Sequence, residues 1–223
     1  MCGRFTLATP GQTVAELFQL SAVPELKPRY NIAPTQPVAA VRAGQSGHEL
    51  VMLHWGLIPS WSKDVAIGAR MINARGETVA EKPSFRAPFR SRRCLIIADG
   101  FYEWRRNGER KQPYFIAMRD RRPFAFAGLW DRWAPSGGEP VESCTIVTTS
   151  PNEVLAPIHD RMPVILPSES QAVWLDTAVR ESERLQPLLQ PFAASEMLAY
   201  PVSPRVNNPR NDDRDCIAPL AIA

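Results

Sequence analysis

Residues 93–118, "RCLIIADGFYEWRRNGERKQPYFIAM", leave little freedom in how the chain can fold. The apolar run "CLIIA" reads as a buried strand, "FYEW" continues as a second, the Asn107-Gly108 pair turns the chain, and "YFIAM" returns as a third. The stretches "PFAFAGLWD" and "SCTIVTT" add further strands, and "PVAAVRA" with "HELVMLHW" reads as an earlier strand pair. Helical patterns are confined to "TVAELFQL", with Thr13 as N-cap and Glu16 three residues on, and to "SESQAVWL" and "ESERLQPLL". Strands outnumber helices and follow one another in mostly antiparallel order. The pattern predicts an α+β fold: a curved, mostly antiparallel sheet or open barrel with peripheral helices. The 22 prolines are dispersed, which implies many short elements joined by rigid turns. With no repeat and no long linker, residues 1–223 are expected to form a single domain.

No stretch approaches the roughly 18 apolar residues needed to span a bilayer, and the first residues lack the charged-then-apolar order of a signal peptide, so a cytosolic location is expected. Cys2, Cys94, Cys144 and Cys216 are scattered singly, without CxxC or CxxH spacing, which argues against a zinc site and against a disulfide framework. The net charge of +3 is small but unevenly spread: residues 70–132 carry 15 Lys/Arg against 7 Asp/Glu. Arginine supplies 22 of the 26 basic residues, and its planar fork suits phosphate better than an ammonium does. A polyanion such as nucleic acid is one reading of this balance and a solvated basic face is the other.

Four stretches place polar residues where a plain core or turn does not demand them: "MCGRF", "INARGET" (Asn73, Arg75, Glu77, Thr78), "ADGFYEW" (Asp99, Glu103, Trp104) and "PIHDRMPVIL" (His159, Asp160, Arg161). Alternation puts Glu103 on the face opposite Tyr102 and Trp104, where a carboxylate either faces solvent or lines a pocket. His159 is one of three histidines, and a lone histidine is more often structural than catalytic. Cys2 gains unusual chemistry once Met1 is removed, as initiator methionines commonly are before a small residue. It then carries an α-amine and a thiol on adjacent carbons. The amine condenses with an aldehyde to an imine, and the thiol closes on the imine carbon to a thiazolidine ring, which no interior cysteine can form.

These stretches occur together and in order with "RYNIAP", "HWGLIPSW" and "YPVSPRVNN", and in this the chain resembles the SRAP (SOS response-associated peptidase) family, the abasic-site processing proteins that crosslink to abasic sites in single-stranded DNA. The resemblance covers effectively the whole chain and implies an α+β domain with a curved, barrel-like sheet. It also implies residue roles. Cys2 is the crosslinking residue, Asn73 hydrogen-bonds near the reacting sugar, Glu103 handles protons at the amine and imine, and His159 is the general acid toward the sugar oxygen. Arg4, Arg75 and Arg161 match phosphate-contacting positions, Asn31 another matching position, and Trp61 an aromatic beside the DNA. Many relatives have two adjacent tryptophans where this chain has Ser60-Trp61. The expected partner is single-stranded DNA containing abasic sites, bound by a monomer without metal or cofactor, in a cytoplasmic protein that joins the nucleoid when on DNA.

The implied chemistry agrees with what the reaction needs. An abasic sugar is mostly a closed hemiacetal, so a proton donor working near neutral pH must assist ring opening, and imine formation needs an uncharged amine and a base as water leaves. Single strands are gripped by basic grooves with aromatic platforms. Two other functions stay open at this level: a cysteine peptidase, acting at the Met1–Cys2 bond or generally, and a non-covalent single-strand-binding module in which Cys2 is incidental.

Overall fold

The computed structural model describes residues 2–45, 47–108, 110–135 and 137–220. The strands are β1 (Phe5–Leu7), β2 (Arg29–Ile32), β3 (Pro37–Gly44), β4 (Gly47–Trp55), β5 (Asn73–Arg75), β6 (Arg93–Ala98), β7 (Gly100–Asn107), β8 (Arg110–Met118), β9 (Phe124–Trp133), β10 (Val141–Thr149), β11 (Met162–Pro163) and β12 (Met197–Pro201). Four short helices, α1 (Gly11–Phe18), α2 (Arg86–Ser91), α3 (Ser168–Leu175) and α4 (Ser182–Leu185), lie around them.

Five strands close a ring. β4, β3, β6 and β9 pair antiparallel in that order, β9 pairs antiparallel with β10, and β10 returns to β4 through the parallel contacts Ser143↔His54 and Cys144↔Trp55. The expected open barrel is thus a closed one, sealed by a parallel pair. β5 extends the far end of β10 in parallel, and β11 pairs there antiparallel. The second sheet runs β12-β8-β7-β1-β2. Every residue of β6 is buried, as its continuous apolar run requires for a strand covered on both faces.

Phe5 joins the two sheets. Its ring sits edge-on to Trp55 (5.1 Å) and to Phe126 (5.7 Å), and Phe126 in turn meets Phe101 at 5.9 Å, so β1 and β7 of one sheet are keyed to β4 and β9 of the barrel. Each buried aromatic of this kind is worth about 1.5–3 kcal/mol in apolar transfer, with about 0.5–1.5 kcal/mol more per ring pair. The opposite face of β7 and β8 supports a smaller cluster in which Tyr102 and Phe115 pack on Val202, Val206 and Cys216. The helices are pinned from beneath by Arg93, whose buried guanidinium donates to the carbonyls of Phe89, Arg90, Trp174, Asp176 and Val179.

Two local expectations shift. Helix α1 begins at Gly11 behind Pro10, which makes no side-chain cap, so Thr13 lies inside the first turn rather than capping it. The early start is set by packing: a Cβ at Gly11 would stand 1.9 Å from the Pro24 carbonyl oxygen. In the β7–β8 hairpin Asn107 lies opposite Arg110, and Gly108 takes the left-handed conformation at φ +61°, while Glu109 lies outside the described residues. The helices at 168–175 and 182–185 fall within the predicted stretches. Among the described residues all four cysteines are buried and free, and no helix is long and apolar enough to cross a membrane.

Candidate active site

The site forms where β1 runs out along β7. β1 pairs with β7 through Phe5↔Phe101, and the Tyr102 amide donates to the Arg4 carbonyl (3.0 Å). Continuing that antiparallel register carries Cys2 alongside Glu103 and Trp104. Cys2 is fully buried, with Sγ 3.9 Å from the Arg4 carbonyl. From the barrel side Asn73, set on β5 opposite Ile146 of β10, donates from Nδ2 to the Cys2 carbonyl at 2.8 Å. Glu103 is 2 % exposed, which resolves its two possible settings in favour of the pocket wall. His159 arrives from the turn before β11, its Nε2 3.9 Å from Glu103 Oε2. Residues distant in sequence from four segments therefore meet around the Cys2 backbone.

The histidine's tautomer follows from its other nitrogen. Arg161 donates its backbone N–H to His159 Nδ1 at 3.0 Å, while the Asp160 carboxylate, also 3.0 Å from Nδ1, is 89 % exposed. The backbone donor is fixed and the carboxylate is solvated, so Nδ1 accepts and the neutral ring carries its proton on Nε2, facing Glu103. Burial pushes the Glu103 carboxyl above the usual carboxylate range, against the opposing pull of His159. Burial, reinforced by the charge of Glu103, pushes the Cys2 thiol well above its ordinary value. The site thus holds a protonated thiol beside a carboxyl poised to exchange a proton.

The expected phosphate contacts divide. Arg75 is exposed. Arg161 forks onto Glu77 with both oxygens bound (2.6 and 2.9 Å) and reaches the Thr148 carbonyl at 2.7 Å; that guanidinium holds the Glu77 carboxyl below its usual range. Trp61 stands out from the surface, 58 % exposed. Arg4 instead spends its guanidinium inside the protein, donating to Asn31 Oδ1 and the Val206 carbonyl, each at 2.8 Å, and to the Asn207 carbonyl at 3.4 Å. Asn31 departs from the expected contact role: it is fully buried, and its Nδ2 donates to the carbonyls of Val206, Asn208 and Asn211. With Asp212, which accepts from the backbone of Tyr30 and Asn31, these two residues staple the C-terminal segment over the five-stranded sheet.

That segment completes a cavity of about 410 Å³ lined by Glu103, Trp104, Arg106, Lys111, His159 and Asn207. The Trp104 indole N–H donates to Asn207 Oδ1 at 2.8 Å, fixing the ring as a wall. Arg106, Lys111 and Asn207 were not among the expected site residues. The hairpin register held the signal for the first two, since Arg106 lies two residues beyond Trp104 on the same face and directly opposite Lys111. Asp99 belongs elsewhere: it caps the end of β1, accepting from the Thr9 amide at 3.1 Å and the Thr9 hydroxyl at 2.5 Å. Among the described residues no group of three or more His, Cys, Asp or Glu is placed to hold a metal ion.

Comparison with known proteins bears on this arrangement as a whole. The family model for the SOS response associated peptidase (SRAP) matches residues 1–209. The chain is 47 % identical over 221 residues to the abasic site processing protein YoqW of Bacillus subtilis, covering 97 % of this chain and 99 % of that one. It is 35 % identical to the abasic site processing protein HMCES of Gallus gallus, across 88 % of this chain and 67 % of the relative. A crystal structure of a protein from Bacteroides thetaiotaomicron superposes with a TM-score of 0.86 at 29 % identity, covering 98 % of this chain and all of the other. With the family model spanning nearly its full length, the chain belongs to the SRAP family.

Proposed function

We propose that this protein processes abasic sites in single-stranded DNA by capturing the open sugar aldehyde on Cys2 as a thiazolidine, after removal of Met1, and so shields the lesion. The observation that carries the reading is the convergence of Asn73, Glu103 and His159 on Cys2. The names of the relatives, abasic site processing proteins, agree with it.

In this reading the Nε2 proton of His159 passes to the ring oxygen as the hemiacetal opens, while the proton of the anomeric hydroxyl passes to the Glu103 carboxylate, which returns it to Nε2. The neutral Cys2 amine adds to C1′, Glu103 shuttles protons as water leaves, and an imine results. The Cys2 S–H then adds across the C=N bond: sulfur bonds to C1′, its proton passes to nitrogen, and one water has been lost overall. A thiol kept protonated by burial suits this last addition and protects Cys2 from oxidation beforehand. It suits a peptidase less well, because a protease cysteine acts as a thiolate with a depressed pKa. Asn73 holds the Cys2 carbonyl so that the reacting atoms keep their approach. Arg75 and Arg161 take backbone phosphates, with Arg161 exchanging Glu77 for the DNA, and Trp61 offers a stacking platform.

The test is intact mass before and after incubation with an abasic oligonucleotide. The expected product is the protein lacking Met1 plus the oligonucleotide, less one water. A Cys2→Ala protein that gives the same adduct, or a protein with Met1 verifiably retained that reacts at the normal rate, overturns the proposal.

A further inference from the structure

The cavity has a second wall that the chemistry above does not use. Arg106 and Lys111 sit directly opposite one another on β7 and β8, both exposed and both lining the same cavity as Glu103 and His159. Like charges in direct cross-strand register repel, and neither side chain makes a hydrogen bond or ion pair with any described residue. Other cations of the fold are neutralised by neighbouring carboxylates: Arg42 holds Glu49 and Glu142, Arg122 holds Asp120 and Glu196, and Arg205 holds Asp213. An unneutralised pair facing a built cavity is suited to an anion between the two heads.

We propose that Arg106 and Lys111 form a phosphate subsite that seats a backbone phosphodiester adjacent to the captured sugar. It lies on the five-stranded sheet, whereas Arg75 and Arg161 are held at Thr148 of β10 on the barrel side. From Glu103 to Arg106 the strand advances about 10 Å, at about 3.3 Å per residue, which brings the phosphate of a neighbouring nucleotide within reach. Trp104, held by Asn207 between the sugar site and the two cations, shapes the path that the strand follows. The DNA would therefore be gripped by cations from two different sheets. This inference rests on the reading of the site as one for abasic single-stranded DNA.

The test compares the wild type with Arg106→Ala/Lys111→Ala on an undamaged single-stranded oligonucleotide, by anisotropy across a salt series. Because both side chains are exposed, the fold is expected to persist, and thermal unfolding of the double variant checks that. The log–log salt slope should fall in magnitude by about 0.7 if the two cations share one phosphate. A set of abasic oligonucleotides with a neutral methylphosphonate at one linkage at a time locates the seat. One linkage beside the lesion should weaken wild-type binding severalfold yet leave the double variant unaffected. The charge-preserving Arg106→Lys/Lys111→Arg protein should behave as wild type. Unchanged slope and affinity in the double variant, or equal sensitivity of both proteins to every neutral linkage, overturns the subsite while leaving the crosslinking reading intact. A wild type that neither binds single strands nor forms the adduct defeats the underlying reading instead.

Discussion

Replacing Glu103 by glutamine should make the protein more stable and nearly inactive. The carboxyl is 2 % exposed and lifted above its ordinary range chiefly by burial, so the folded state disfavours its charge. Glutamine keeps the volume and removes the ionisation. Each unit by which the folded-state pKa stands above the unfolded one costs the ionised wild type about 1.4 kcal/mol, and a domain of this size gains about 2–4 °C in Tm per kcal/mol. The pH dependence gives the argument its sign. Below the unfolded-state pKa the carboxyl is protonated in both states and the two proteins should differ little. As pH rises, the unfolded chain ionises first and the wild type loses stability until the folded carboxyl has titrated as well. The Tm advantage of Glu103→Gln should therefore be small in acid and grow toward neutral pH, followed by calorimetry from pH 4 to 8. In parallel, single-turnover adduct formation should slow by about 10²–10⁴-fold, the usual contribution of a positioned acid–base group. A variant that is less stable than wild type at pH 8, or a Tm difference that is flat with pH, would refute the picture of a carboxyl held at the expense of the fold.

Three other substitutions separate the remaining roles. His159→Ala should slow capture of a natural abasic site by about 10²–10⁴-fold but recover in part on an oligonucleotide whose aldehyde cannot cyclise, since ring opening is the step assigned to it; equal defects on both substrates count against that assignment. Glu77→Gln should bind undamaged single strands about two- to fivefold more tightly by anisotropy, because the pair with Arg161, solvated on its Glu77 side and worth about 0.2–1 kcal/mol, no longer competes with phosphate. Weaker binding would mean that Glu77 positions Arg161 rather than occupying its fork. Asn31→Ala removes a buried amide that donates to three carbonyls and should lower stability by about 1–3 kcal/mol in a denaturant titration while single-strand affinity is kept; the reverse pattern would restore Asn31 as a DNA contact.

What could be read from the sequence was what depends on near neighbours. The β3–β4 pair, the β7–β8 hairpin and the all-buried β6 follow from alternation, a turn dipeptide and an apolar run, and Glu103's face followed from the same parity. Ring closure did not, because β10 meets β4 in parallel across nearly ninety residues, with two register pairs and no local mark. Thr13 misled because a capping pattern describes hydrogen bonds within one turn, whereas the start of α1 is fixed by the approach of Gly11 to Pro24. Asn31 misled for a similar reason. An asparagine in a strand looks the same whether it reaches outward to DNA or inward to a segment some 180 residues further along. The four residues assigned to the reaction came from the family resemblance; the folded chain adds their geometry, the buried thiol and the second cationic wall.

The staple between Arg4, Asn31 and residues 206–212 also orders events on the ribosome. Arg4 is made about 200 residues before the carbonyls of Val206 and Asn207 that hold it. At about 5–20 residues per second, roughly 10–40 s separate the two. For that interval the Arg4 guanidinium lacks the carbonyls that accept from it in the folded protein, and the strand carrying Cys2 is not yet tethered at that point. The strand that carries Cys2 is therefore locked in place late, only after the rest of the sheet it joins has been made.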